Sequence, residues 1–516
     1  MNEPTQDRFF FDWQHVQRGL MEMTLDPDRI TPEGRETIDR NKHRWNIQLQ
    51  ETGHGLRACK MPFGVRITPE RPAKSAPWLE TDRPWEEGVE GEQTVIQEDG
   101  KYRCWYRIRL TQDAAREMFP QLVEAEPNRI QRVRAYAEST DGQHWVKPEL
   151  DVFRYQAKPT NVVDAAHSSA VMRDPSAPPE ERYKTFSFEQ LPAGGKPSHG
   201  LYGHVSPDGY HWNALPEPLI RYFHDTQNVP AWDPLLERYV AYLRDHCGGR
   251  SIGRSETDDF RNWPPHRTIF HPGPEDEASE DYYTNCFTTY PGMPSLRLMF
   301  PAIFDHLDDS TYIRLAVSRD NYRWNWVSRE PIIKASTPPQ WDSGNIWAAP
   351  NLVRLPDGRL ALPIHSSLST HTNYSAFYAD CPEERAKIAW ATWDDGRLAG
   401  IEAEEIGEFY TGNEKGNRLP IEINARTTAG GAVEAELHEP IGWGTQPIPG
   451  YSFDDCDSFT GDALDHPLSW NGRSNLEELS DRSFMIRFRL RRAKLFAYRI
   501  RAGSEDSAAE ERTMVD

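Results

Sequence analysis

A carboxylate recurs just ahead of short apolar runs along this 516-residue chain. The segments are PWEEGVEGEQTV, with Trp85, Glu86, Glu90 and Glu92; NVVDAAHSSAVM, with Asn161, Asp164 and His167; HDTQNV, with His224, Asp225, Thr226 and Asn228; SEDYYTNC, with Asp281, Tyr283 and Asn285; and PQWDSGNIW, with Trp341, Asp342, Asn345 and Trp347. Carboxylates, amides, His and Trp gathered in one pocket suit cleavage of a glycosidic bond. One carboxyl must stay protonated to donate to the leaving oxygen, a second must be ionised as nucleophile or base, and a third can hold their pKa values apart. Asp164, Asp225 and Asp342 form the preferred trio, because each opens a strand beside an amide or His; Glu92 is the fourth catalytic candidate. Trp85, His167, Asn228, Asp281, Tyr283, Asn285, Trp341 and Asn345 are assigned to substrate binding. Amides and imidazoles bond sugar hydroxyls, and rings stack on sugar faces. Sequence leaves a retaining and an inverting mechanism equally open.

These residues need a scaffold that makes distant strand entries converge. A repeated hairpin supplies one: STDGQHW (139–145), SPDGYHW (206–212), SETDDFRNW (255–263), SRDNYRW (318–324) and a degraded ATWDDG (391–396). The copies lie roughly 50 to 75 residues apart, a period typical of propeller blades. Each follows a β-patterned run (RVRAYAES, GLYGHVS, RSIGRS, YIRLAVS) and ends in an aromatic where the next strand begins. Asp caps its own backbone and Gly takes positive φ, so the motif is read as turn chemistry. Between the hairpins lie strand pairs such as TVIQEDGKYRCWYRIR and NVPAWDPLLERYVAYLR. One pair and one hairpin make a four-stranded sheet. The economical reading is all-β: a five-bladed β-propeller over residues 75–400, whose inner strands carry the acidic entries to one axial pocket.

Residues 1–74 are read as an N-terminal arm packing on the propeller. After residue 400 shorter alternating strands without the hairpin suggest a small C-terminal β-sandwich over 401–502, followed by a charged, disordered tail, 503–516. Helical periodicity is confined to residues 113–118 and 32–42.

Lys+Arg 59 against Asp+Glu 80 gives a formal net charge of -21, which repels polyanions and argues against nucleic acid or an anionic membrane as partner. Carbohydrate suits a polar chain carrying 17 Trp, 20 Tyr and 21 Phe. Oligomeric state is left open. The six cysteines show no C-x-x-C pair and are expected as free thiols. No basic-then-apolar leader opens the chain and no membrane-length apolar run occurs, so a cytoplasmic location is expected. His167, His224, His246 and His365 lack metal-ligand spacing. No cofactor is expected, although a structural Ca²⁺ is compatible with the oxygen ligands. Gly194-Gly195-Lys196 and Gly248-Gly249-Arg250 are short turns, not phosphate loops.

PWEEGVEGEQTVIQEDGKYRCWYR, DTQNVPAWDPLLERYVAYLR, DYYTNCFTTYPG and GYSFDDCDSFTGD resemble a bacterial, uncharacterised group of glycosidases related to family 32. More broadly, the layout is similar to the clan of five-bladed propeller glycoside hydrolases of families 32 and 43. The resemblance implies an O-glycosyl hydrolase, here read as exo-acting on an oligosaccharide end. Two departures block a transfer of catalytic residues. The W-M-N-D-P-N-G and E-C stretches of invertase-like enzymes are absent, and Arg173-Asp174-Pro175 opens a Pro-rich turn. Two rivals stand beside this reading. A sialidase would bring three arginines together to clamp a carboxylate. A non-catalytic sugar-binding propeller would have scattered or salt-bridged acids instead of two acids facing each other.

Overall fold

The computed structural model describes residues 7–17, 23–25, 30–45, 49–52, 55–58, 62–125, 131–165, 169–191, 199–372, 385–415, 420–441, 444–480 and 482–500. His167, Cys59, Cys381 and the tail from 503 lie outside them. The regular secondary structure of the described residues is almost entirely β-strand, and the chain divides into two units, residues 71–395 and residues 1–70 with 396–516.

In the 71–395 unit, four-stranded antiparallel sheets follow one another along the chain. The first runs Glu86–Glu98, Lys101–Leu110, Arg132–Ser139 and Val162–Asp164 in spatial order. The second runs Met172–Arg173, Tyr183–Gln190, His199–Ser206 and Asn213–Ile220; the third runs Val229–Asp233, Arg238–His246, Arg250–Thr257 and Arg267–Phe270. The stretch 280–334 forms two short four-stranded sheets that share the same succession of strands. The last sheet sets Asn345–Ala348 against Leu360–Ser367 and Lys387–Trp393, and takes its outer strand, Ala73–Lys74, from ahead of the first sheet. This closing strand begins before the boundary expected at residue 75. Short helices, Gln112–Met118 and Pro120–Ala125, bridge strands of the first sheet; Thr111 caps the former through its side chain.

The repeated hairpin behaves as turn chemistry requires. Ser206 Oγ accepts from the Gly209 N–H at 2.8 Å, and Asp208 Oδ1 accepts from Tyr210 N at 2.8 Å and His211 N at 2.9 Å. Gly209 stands at φ +83°, which glycine adopts without a Cβ penalty. Ser139 and Asp141 make the same bonds one repeat earlier.

Each such turn is also held by an aromatic from the preceding sheet. Trp105 Nε1 donates to the Gly209 carbonyl at 2.7 Å, and Phe186 stacks on Phe260 at 5.6 Å. The Tyr242 hydroxyl bonds Asn321, and the Tyr290 hydroxyl donates to Asp395 at 2.7 Å. Trp390, on the last sheet, donates to Gly142 in the first at 2.7 Å. The succession of contacts closes on itself, and each buried indole or phenol finds its partner there.

The second unit is built on a nine-stranded sheet whose long strands are Ala399–Thr411, Ile421–Ile441 and Ser483–Ile500. This sheet occupies the region expected as a small sandwich. Register breaks at Thr427/Ala432 and Ala403/Ile406 bend the strands round a core that includes Phe409, Leu437, Trp470 and Phe488. Asp7–Phe9, Val16–Gln17 and Arg66–Pro69 pair with Ser483–Ile500 or Ala399–Thr411. Residues expected as an arm on the propeller thus complete this sheet. Phe10 is fully buried in its core, which supplies the driving force. Cys104, Cys247, Cys286 and Cys456 are free thiols.

Candidate functional site

A cavity of about 370 Å³ opens among the strand entries of the 71–395 unit. It is lined by Glu90 and Glu92 of the first sheet, Thr226 and Gln227 ahead of the third, Tyr283, and Asn345 and Trp347 of the last. Segments far apart in sequence therefore converge on one pocket. Glu92, Tyr283 and Asn345 among the expected site residues line it; Asp164, Asp225, Asp342, Trp85, Asn228, Asp281, Asn285 and Trp341 do not, and His167 lies outside the described residues.

The first sheet presents a row of arginines to this cavity. Strand pairing sets Arg109 opposite Arg132 and Arg107 opposite Arg134. Like charges directly opposed destabilise a ladder, so the row needs counter-ions. Glu90 supplies one, bonding Arg109 at 2.9 Å, Arg132 at 2.6 Å and Arg107 at 3.1 Å. Burial alone would raise the Glu90 carboxyl, but Arg107, Arg132 and Arg109 outweigh it and hold it below the usual range. Glu92 pairs with Arg107 Nη1 at 2.7 Å. It stands at φ +46° inside the register shift between Gly91 and Thr94, a left-handed backbone that costs a non-glycine residue about 1–2 kcal/mol. Bulges of this kind re-aim side chains next to functional sites.

Aromatic and amide groups form another part of the lining. Arg244 and Arg250 stand 4.3 and 4.6 Å from the centre of the Tyr283 ring. Trp347 meets Tyr283 edge-on at 4.9 Å and lies parallel to His365 at 6.3 Å. Asn345 donates to Ser367 Oγ at 3.1 Å and the Ser369 carbonyl at 2.7 Å, and accepts from Trp347 Nε1 at 3.1 Å. The indole is thereby fixed in orientation. His365 is pushed down to about 3 by burial and then by the Arg107 charge, so it is a neutral imidazole. Burial also lowers His371, which lines the same cavity.

The preferred trio sits elsewhere. Asp164 lies on Val162–Asp164, the edge strand of the first sheet, not on an inner strand. It pairs with the fully buried Arg134 at 3.1 Å and His204 at 3.4 Å. It is the counter-ion that the Arg107/Arg134 pair demands. Asp342 is buried against the Lys74 ammonium and accepts from Ser336 Oγ at 2.9 Å, tying the closing strand in place. Asp225 is exposed outside the cavity lining, where its charge is felt by Arg107 and Arg244.

Several residues assigned to substrate binding are occupied by the fold. Trp85 Nε1 donates to Asn161 at 3.1 Å. Asn228 donates to the carbonyls of His224 and Thr226 and accepts from Arg244 N. Asn285 links the Tyr242 carbonyl to Phe287 N. Both amides fasten a strand entry to the neighbouring strand, a role that Asn161 shares through its bond to the Tyr136 carbonyl at 2.9 Å. Asp281 accepts from Arg250 at 2.7 Å, with His306 Nε2 also 2.8 Å from it; it thus positions the cation over Tyr283. Trp341 is half-buried and outside the cavity lining.

Arg107, Arg109 and Arg132 are absent from the expected site residues, and Glu90 stands among the strand-entry carboxylates without an expected role. The alternation in YRIRL and RVR, facing E-G-V-E-G-E across the ladder, was the available signal, because period-2 spacing puts those charges on one face. Among the described residues no group of three or more His, Cys, Asp or Glu is placed to hold a metal ion. What the pocket offers is an aromatic wall, neutral hydrogen-bonding groups, and two carboxylates clamped by arginine.

No protein-family model matches the chain, and no curated protein does. Among solved structures it is similar to a thermostable family-43 glycoside hydrolase, at 13% identity over 61% of this chain and 93% of that one, TM-score 0.40. It is also similar to the α-L-arabinofuranosidase from Podospora anserina in complex with cellotriose, at 10% identity over 63% and 98%, TM-score 0.41. A fructofuranosidase from Schwanniomyces occidentalis complexed with fructosylnystose is similar over 82% of this chain and 97% of that one, at 10% identity and TM-score 0.39.

Proposed function

We propose that the 71–395 unit is a five-bladed propeller whose pocket binds the end of a saccharide chain, and that the protein is a glycoside hydrolase using Glu92 at the reacting centre. The closed cycle of aromatic contacts from each sheet to the next supports the ring. The observation that carries the reaction is Glu92 itself: a carboxylate on a left-handed, bulged backbone, bonded to Arg107 and lining a cavity walled by Trp347 and Tyr283. Strained backbone clusters where a side chain must be aimed. Stacking rings with a few convergent polar groups suit a sugar ring. Glu90 serves as counter-ion to the arginine row.

A second reading, saccharide binding without hydrolysis, draws on a specific observation. Both cavity carboxylates are ion-paired to arginine and lie on one strand, and a protonated acid facing them is not found among the described residues. One experiment separates the readings. Wild type and Glu92→Gln are incubated with aryl glycosides and plant or algal oligosaccharides, and both reducing-end release and binding are followed. Hydrolysis by wild type that is lost in Glu92→Gln supports the hydrolase. Binding without release supports the second reading, and neither binding nor release contradicts both.

A further inference from the structure

His365 has the features of a residue built to read a ligand. It lies on Leu360–Ser367, lines the cavity, and is 8% exposed. Its Nδ1 has no hydrogen-bond partner among the described residues. Buried polar atoms are almost always partnered, and each exception needs a reason. Here the surroundings hold the ring still. Trp347 lies parallel to it, with 13° between the planes. On another side Gly91 approaches so closely that a Cβ there would meet the ring at 2.2 Å. The chain therefore keeps a glycine on a left-handed backbone, φ +90°, which leaves room for the imidazole.

Resting on the saccharide reading above, we infer that His365 is the specificity-determining residue of the pocket: its imidazole hydrogen-bonds one hydroxyl of the sugar ring seated against Trp347. A neutral imidazole carries one donor and one acceptor, which complements a hydroxyl, itself both donor and acceptor. Burial and Arg107 keep it neutral at any ordinary pH. The substrate class that follows is a sugar with that hydroxyl free, as against its deoxy or acylated counterpart. A site built to bond a substrate hydroxyl rejects the analogue lacking it by up to about 10⁴–10⁵.

The test uses the full chain with p-nitrophenyl glycosides of the common hexoses and pentoses and their monodeoxy analogues, read by binding and by turnover. His365→Phe keeps the ring shape without the hydrogen bond, and His365→Gln keeps a donor and an acceptor. The expected result is that wild type prefers a parent glycoside over one deoxy analogue by at least about tenfold, that His365→Phe collapses this ratio to near one, and that His365→Gln restores part of it. An unchanged ratio in a folded His365→Phe overturns the assignment while leaving the saccharide reading in place. If wild type neither binds nor cleaves any of these glycosides, the saccharide reading falls and the assignment with it.

Discussion

Gly91 and His365 pack beside the cavity so closely that a single methyl group on Gly91 would lie 2.2 Å from the imidazole. The glycine belongs to the strand that carries Glu90 and Glu92, and the histidine to the strand beside Asn345. Carboxylates and imidazole are thus set by the same contact.

Gly91→Ala should disturb both partners. The positive φ costs an alanine about 1–2 kcal/mol, and the methyl must displace the ring or the backbone. The expected outcome is a lower denaturation midpoint and weakened glycoside binding. Pairing it with His365→Ala should recover part of the stability loss, because the second change removes the obstacle. Additive losses in the urea melts of the single and double variants would mean that the two residues do not press on each other.

Asp164→Ala should harm folding more than chemistry. It leaves Arg134, fully buried, without its carboxylate. Breaking a buried pair from one side costs about 3–5 kcal/mol. At a temperature where the variant is still folded, turnover per folded molecule should stay within about twofold of wild type, as measured by kinetics beside a melt. A loss of about a thousandfold in the folded variant would return Asp164 to the chemistry.

His204 gives stability a pH signature. Burial would lower its pKa, but the carboxylates of Asp164 and Glu189, 3.4 and 3.7 Å from the ring nitrogens, outweigh this and raise it to about 9, above the ordinary value of about 6.5. A base with a raised folded-state pKa stabilises fully below its unfolded value, and the contribution is lost as pH rises through the folded one. Wild type should therefore exceed His204→Gln in urea midpoint at pH 6, with the gap closing by pH 9 to 10. A gap that is constant or widens over that interval would contradict the assignment.

The repeats were legible because they are local. Ser206, Asp208 and Gly209 fold the turn through bonds to residues two or three positions away, so the sequence alone identified their role. Strand entries were also legible, and Tyr283, Asn345 and Glu92 do reach one cavity. What stayed hidden was pairing between distant residues. Asp164 and Asp225 look equivalent in sequence, each ahead of an apolar run. Only the register that opposes Arg107 to Arg134 shows why the chain needs an acid at 164. Likewise Asp342 answers Lys74, whose sequence separation is 268 residues, and nothing near either residue announces the other. The pairing of the N-terminal strands was hidden for the same reason: a three-residue strand such as Asp7–Phe9 takes its meaning from its partner.

Glu92 is tested most directly by kcat/KM of Glu92→Gln relative to wild type on whichever glycoside the wild type cleaves, with Asp342→Asn alongside. The predicted result is a loss of at least about a thousandfold for Glu92→Gln, about 4 kcal/mol of transition-state stabilisation, with Asp342→Asn within about tenfold of wild type. Full activity in Glu92→Gln, or the larger loss in a folded Asp342→Asn, would contradict it.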